Sequence, residues 1–455
     1  PAIGRSIGQS PLRLNVAITC YLLSLAVFIP ISGWTADRFG ARRVFTAAIV
    51  VFTLGSIGCG FAHSLGMLVV ARIVQGMGGA MMVPVGRLIL LRTVPRSELV
   101  RAMSYVSIPA LVGPVLGPPL GGFIVTYGSW RWIFFINIPI GLLGVLLVRL
   151  FIENLAETTV RPFDLPGFAL TGIGLASFAF GFENIGRGEF PLPVVLAMLG
   201  LGAVCMVFYV RHANRVDHPI IDLALMRIPT YAMATIGGFL FRIGMGALPF
   251  LMPLMLQVGF GLDALHSGLI TFASAAGAMS NKLIITAIIR TFGFRTVLLG
   301  NTLISAAFLF SYSFFRPSTP HVVIFFALLA GGFFRSVQMT SINTLSYADV
   351  PSGMLSRATS LTSMAQQLSQ SIGVGTGALI LYLMLAMHGG AQPAAGDFSV
   401  ALAMVAAVSL LSVPFFLRMS PEAGAAVSGR RIDVKPAAKL PRELPANLPG
   451  KLPGE

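Results

Sequence analysis

Pro95-Arg96-Ser97-Glu98-Leu99-Val100-Arg101-Ala102-Met103-Ser104 reads against Pro351-Ser352-Gly353-Met354-Leu355-Ser356-Arg357-Ala358-Thr359-Ser360, with Pro, Leu, Arg, Ala and Ser coincident. Upstream, Phe39-Gly40-Ala41-Arg42 reads against Phe292-Gly293-Phe294-Arg295, and Gly78-Gly79 against Gly331-Gly332. The offset is 253 residues at Phe39 and 256 at Pro95. Long apolar runs separate these matches. The chain therefore reads as two like-oriented copies of one helical unit, the plan of membrane bundles whose substrate site lies between the halves.

Composition supports that plan. Of 455 residues, 55% are hydrophobic and 10% are charged, and the mean hydropathy is +0.85. A soluble domain averages roughly 25% charged residues. Many runs exceed the roughly 18 apolar residues of a spanning helix, and they are continuous rather than alternating, which excludes barrel strands. Cys20, Cys59 and Cys205 all lie within apolar runs without paired spacing, so neither a disulfide nor a metal site is expected. No cofactor is expected either. An enzyme is disfavoured, since no nucleophile–base pair or phosphate loop appears.

Spans are predicted at 14–35, 44–62, 68–91, 101–126, 132–150, 165–183, 192–210, 230–256, 266–289, 296–315, 321–345, 357–387 and 398–418. Five precede residue 151, two follow, and six lie beyond residue 213. Shifted back by the offset, the 230–256 span falls before residue 1. The expectation is an all-α integral membrane protein of two six-helix bundles with two extra central helices, the first helix absent from this chain. Its parts are an N-terminal bundle (1–150), a central two-span insert (151–212), a C-terminal bundle (213–420) and a tail (421–455). In the tail Leu440-Pro441, Leu444-Pro445, Leu448-Pro449 and Leu452-Pro453 recur every four residues, a pattern of extended, solvated chain; a partner-binding segment and a plain disordered tail both fit.

The net charge of +15 suggests nucleic acid until its distribution is read. Loops holding Arg38, Arg42, Arg43, Arg92, Arg96, Arg101, Arg149, Arg161, Arg211, Arg215, Arg227, Arg290, Arg295 and Arg357 alternate with loops holding only Arg5, Arg13, Arg131, Arg187 and Arg316. Positive-inside sorting puts the first set and the basic C-terminus in the cytoplasm. The excess is a topology signal, and no nucleic-acid partner is expected.

Three segments stand out. In Gly33-Trp34-Thr35-Ala36-Asp37-Arg38-Phe39-Gly40-Ala41-Arg42-Arg43, Gly33 permits close helix approach and Gly40 a sharp turn. Asp37 beside Arg38, Arg42 and Arg43 fits a charge network that forms in one conformation, or a plain basic loop. Arg72 lies inside a span with Gln75 one turn on; a cavity-facing role and a snorkelling, structural one both fit. Gly113-Pro114-Val115-Leu116-Gly117-Pro118-Pro119-Leu120-Gly121-Gly122 combines helix-kinking prolines with glycines at four-residue spacing, a hinge or seal, or a structural kink.

Together with Trp130-Arg131-Trp132-Ile133-Phe134-Phe135-Ile136-Asn137-Ile138-Pro139-Ile140-Gly141, these segments resemble the major facilitator superfamily, and within it the fourteen-span drug:proton antiporters of the EmrB/QacA type. The resemblance covers about residues 1–418. It implies a secondary active transporter in the inner membrane, exporting small amphipathic compounds by alternating access at the expense of a proton gradient. Its partners would be the bilayer, a small-molecule substrate and protons; a periplasmic adaptor is left open. A metabolite symporter or uniporter, or a non-transporting remnant, is the alternative. The resemblance also implies that Pro1-Ala2-Ile3 ends the family's first helix, whose Asp, a proton carrier, then precedes this chain.

In the second half Arg242, Lys282 and Arg335 fall within apolar runs, where cations suit an anionic substrate or simply snorkel. Asn137, Gln257, Asn343, Gln366 and Gln367 are further substrate-pathway candidates, with helix-to-helix hydrogen bonding as the other reading. The repeat is unequal at one point: Arg290 stands where Asp37 stands in the first half.

Overall fold

A computed structural model of the chain describes residues 2–9, 11–153, 162–185, 190–389 and 393–429. Every regular element among them is helical. That follows from the apolar runs: with no water to satisfy backbone N–H and C=O groups, a spanning segment must bond to itself. The first half comprises α1 (Ala2–Ile7), α2 (Pro11–Phe28), α3 (Ser32–Phe39), α4 (Ala41–Gly60), α5 (Leu65–Thr93), α6 (Leu99–Tyr127), α7 (Trp132–Phe135) and α8 (Asn137–Phe151). Two helices follow, α9 (Leu165–Asn184) and α10 (Leu192–Ala213). The second half holds α11 (Pro229–Gly246), α12 (Leu248–Leu254), α13 (Ala264–Ser280), α14 (Ile285–Ser311), α15 (His321–Leu345), α16 (Leu355–His388), α17 (Ala395–Leu410), α18 (Val413–Leu417) and α19 (Ala425–Ser428).

Every predicted span is occupied. Among the described residues ten helical segments are individually long and apolar enough to cross a bilayer, and α2 with α3, bent by 58°, forms an eleventh. The 29-residue α6 and the 17-residue α13 fill the remaining two positions. The predicted 266–289 span is corrected. It stops at Ser280, and a 3-10 turn at Asn281–Leu283 turns the chain, held where Asn281 Nδ2 donates to the Phe333 carbonyl at 2.9 Å. The following residues start α14, whose continuity is broken at Gly293 (φ 77°, ψ 159°).

The repeat extends to the backbone. Gly40 (φ 88°, ψ 135°) separates α3 from α4 as Gly293 divides α14. Pro95 (φ −57°, ψ 145°) and Pro351 (φ −61°, ψ 146°) each precede one 3-10 turn and then a long helix, α6 or α16. Arg42 donates to the Arg149 carbonyl at 2.9 Å, and its counterpart Arg295 donates to the Leu417 carbonyl at 3.0 Å, each pinning the turn to the last span of its own half.

The inserted helices are not a detached unit. α9 packs on α10 and lies against α2 of the first half and α16 of the second. Asp164 caps α9 through the Gly167 N–H (2.9 Å), accepts from the Ile220 N–H (3.1 Å) and meets His212 Nε2 at 2.7 Å. Asp222, in the connection to α11, pairs with Arg357 at the start of α16. Residues through Gly429 are described, and α19 buries Val427 beside α14 and the start of α6. The Leu-Pro repeats lie outside the described residues.

Candidate functional site

The two halves meet along α16, whose first three turns carry small and hydroxylated side chains: Ser356, Ala358, Thr359, Ser360, Thr362 and Ser363 are all buried. Small side chains let α3 and α5 approach this helix. At Gly33 the approach is so close that a Cβ would stand 2.7 Å from the Ser356 carbonyl oxygen and 2.7 Å from Ser360 Oγ. Ser32 Oγ lies 2.9 Å from Ser360 Oγ.

Asp37 closes this seam. It accepts from Arg92 Nη2 at 3.1 Å and from Ser356 Oγ at 2.5 Å, joining α3, α5 and α16. The cation that meets Asp37 comes from α5 and not from the adjacent arginines. Arg38 and Arg43 are exposed and Arg42 serves the Arg149 carbonyl, while Arg92 reaches Asp37 from the last turn of α5. Nearby, Arg96 donates to the Ala348 and Val350 carbonyls at 3.2 and 3.3 Å, and Ser104 Oγ to the Lys282 carbonyl at 3.3 Å. These contacts all lie at or towards the arginine-rich end of the bundle.

Arg72 sits within the first half near the opposite end. It donates to Gln75 Oε1 at 3.0 Å, and its guanidinium lies 5.0 Å from the Phe134 ring and 5.5 Å from the Tyr21 ring. Gln75 Nε2 and Asn137 Nδ2 both donate to Ser56 Oγ, at 3.2 and 2.9 Å. Asn137, expected on a substrate path, therefore ties α8 to α4. Gln257 is exposed in the π turn after α12, 3.4 Å from Ser267 Oγ. Gln367 borders a small gap between α2, α9 and α16.

Gly113, Gly117, Gly121 and Gly122 all lie on α6. The backbone is helical throughout, but a Cβ on Gly113, Gly117, Gly121 or Gly122 would meet nothing within 4 Å. Among the described residues nothing packs on these glycines in this conformation. The side chains of Pro114 and Pro118 lie outside the described residues. Beside Gly122 opens a cavity of about 720 Å³, walled by Phe123, Met252, Leu269, Phe272 and Leu328, with Arg335 as its charged member.

The interior cations come together only in part. Arg335 Nη2 donates to Ser274 Oγ at 3.2 Å, and buried Lys282 donates to Thr340 Oγ1 at 2.9 Å. Arg242, 8% exposed on α11, donates to Asn343 Oδ1 at 2.8 Å. Gln366 Nε2 is 2.7 Å from that same oxygen. From the first half, Arg87 donates to Tyr347 OH at 3.2 Å and to Gln366 Oε1 at 3.3 Å. Arg87 was not among the residues expected from sequence. Its signal was available: it is a second arginine in the apolar run that contains Arg72.

Among the described residues no three potential metal ligands cluster. The arrangement offers an apolar cavity, a polar seam between two halves and buried cations, which is equipment for holding a solute. The sequence profile of the Major Facilitator Superfamily matches residues 1–374. The chain is 38% identical over 418 residues to the protein of Escherichia coli O6:H1 that bears the name multidrug resistance protein MdtD, covering 92% of this chain and 88% of that one. The namesake of Shigella sonnei is 40% identical over 389 residues, covering 85% and 82%. Among solved structures, the human organic anion transporter MFSD10 superposes with a TM-score of 0.65 at 15% identity, covering 89% of this chain and 83% of that one. The proton:xylose symporter XylE superposes with a TM-score of 0.64 at 15% identity, covering 93% and 91%. Repeat, seam and relatives agree: this chain is a multi-pass membrane transporter, not an enzyme, and belongs to the major facilitator superfamily.

Proposed function

We propose that this transporter expels small amphipathic compounds from the cytoplasm in exchange for protons. The observation that carries the reading is the unequal closure of the two ends. The halves are joined at the arginine-rich end through Gly33, Asp37, Arg92 and Ser356, while the apolar cavity beside Gly122 and Phe123 lies away from that seam. With the arginine-rich end in the cytoplasm of a plasma (inner) membrane protein, this is the outward-facing state of an alternating-access cycle. In the inward-facing state the seam opens and the bare glycine face of α6 becomes the surface on which the other end closes. The relatives named for multidrug resistance support the substrate class.

The test uses inside-out vesicles with an imposed pH gradient and a panel of amphipathic dyes. Dye-induced collapse of the gradient is expected, reduced about tenfold or more in Arg72→Ala, which loses the bond to Gln75 and both ring contacts. Dye export that persists unchanged after the gradient is dissipated overturns proton exchange. A metabolite uniporter is the second reading; the described acids nearest a span interior stand at helix ends. Asp37 is two residues from the end of α3, and Glu183 is one residue from the end of α9. Gradient-independent movement in both directions would establish it.

A further inference from the structure

We infer that the junction of Arg87, Arg242, Asn343, Gln366 and Tyr347 is a binding site for an organic anion, and that the substrates of this transporter carry a carboxylate, sulfonate or phosphate group. The inference names a substrate class and so rests on the transport reading above. Arg87 belongs to the first half and the other four to the second, so the site straddles the seam that alternating access must open.

Donors outnumber acceptors around Gln366. One atom of the Gln366 amide lies 3.2 Å from Arg87 Nη1, 3.3 Å from Arg242 Nη2 and 2.7 Å from Asn343 Oδ1. The other lies 3.3 Å from Arg87 Nη2. If the first atom is nitrogen, it faces two guanidinium N–H groups. If the amide is turned over, its nitrogen instead faces Arg87 Nη2. Turning Asn343 does not help, because its amide nitrogen would then face Arg242 Nη2 in place of the oxygen now at 2.8 Å. In every orientation a cationic N–H points at another N–H. The cluster is rich in donors and short of acceptors, and a guanidinium is never an acceptor.

Charge tells the same story. Among the described residues Arg87, Arg242, Lys282 and Arg335 all bond to neutral amides, hydroxyls or a phenol, and none meets a carboxylate. Arg242 and Lys282 are buried and Arg87 and Arg335 half-buried, and buried charges are ordinarily paired. A cationic compound would find no counter-ion here, whereas an oxyanion would supply acceptors to two forked guanidiniums at once. Seated between Arg87 and Arg242, it would also screen their mutual repulsion and draw the halves together, so that binding and closure favour each other.

The experiment compares two dyes on one xanthene frame, anionic fluorescein and cationic rhodamine 123, by fluorescence anisotropy with the full chain in neutral detergent. Fluorescein is expected to bind tighter than rhodamine 123. Arg87→Gln and Arg242→Gln should each weaken fluorescein about tenfold or more, and Arg→Lys at either position should weaken it less. Rhodamine 123 binding should be unchanged or improved in all four. Because a glutamine variant can fail to fold, the native chain is also melted with each dye, and only fluorescein should raise its unfolding temperature. Equal affinity for the two dyes overturns the inference. So does fluorescein binding that is unchanged in glutamine variants melting like the native chain. No gradient is used, so the readings fail separately: fluorescein binding without flux sinks the transport reading, and flux of cationic dyes without preferential fluorescein binding sinks the anion site.

Discussion

The turn around Gly40 and the turn around Gly293 have nearly the same backbone and opposite chemistry. Both glycines sit at positive φ, and in both turns the arginine two residues on grips a carbonyl of its own half's last span. At the position three residues before the glycine, the first half has Asp37, bound by Arg92 and Ser356, and the second has exposed Arg290. Seven residues before it, the first half has Gly33, pressed on α16, and the second has Thr286. A repeated turn thus has one shape in both halves, while the carboxylate contact from the turn to Arg92 and Ser356 belongs to the first half.

The strongest way to break this comparison is to remove the acid. Asp37→Ala loses two hydrogen bonds made to a charge and leaves Arg92, 13% exposed in its side chain, without that partner. Each such bond contributes about 1.5–3 kcal/mol, and the loss falls on the closed seam. Dye efflux from vesicles should fall about tenfold or more, while Arg290→Ala, at an exposed site, should change it less than about twofold. Equal losses would mean that both turns carry coupling.

Gly33→Ala comes next. A methyl 2.7 Å from the Ser356 carbonyl oxygen can be relieved only by backing α3 away from α16. Overpacking of this kind costs about 1–3 kcal/mol, and here it applies only while the seam is shut. Maleimide labelling of Ser360→Cys should therefore accelerate about fivefold or more in the G33A background. Thr286→Ala should leave that rate unchanged, since the second-half turn already accommodates a branched side chain. Labelling that stays slow in G33A would show that the seam adjusts without opening.

Much of this was legible beforehand, for identifiable reasons. Spans follow from apolar run length, and the halves from matched turn residues, because lipid and backbone geometry constrain single positions strongly. The sequence places Asp37 beside Arg38, Arg42 and Arg43 and so points to adjacent arginines as its partners. The actual partner, Arg92, is 55 residues away and reaches it only through the packing of α3 on α5. Arg87 is unmarked in the sequence because the residues it bonds, Tyr347 and Gln366, lie 260 and 279 positions away and meet it only across the halves. The glycines of α6 read as a packing face, but which side chains meet that face depends on conformation and not on spacing. Asn137 and Gln75 were assigned to different roles, although both bond to Ser56.

The smallest effect is the most discriminating. Gly40 (φ 88°, ψ 135°) and Gly293 (φ 77°, ψ 159°) occupy backbone conformations that a Cβ strains, so Gly40→Ala and Gly293→Ala should each destabilise the protein by about 1–3 kcal/mol. Their denaturation midpoints in detergent should fall together, since the turns are geometric equivalents. Transport should separate them. Relaxing the strain at Gly40 swings the end of α3 and with it Asp37, so G40A should lose efflux beyond what its stability loss explains. Relaxing it at Gly293 moves only Arg290 and Phe292, both exposed, so G293A should transport in proportion to its folded fraction. If the two variants lose transport equally at matched stability, then the shape of the turn, and not the carboxylate it carries, transmits the motion, and the chemical asymmetry between the halves is incidental to the cycle.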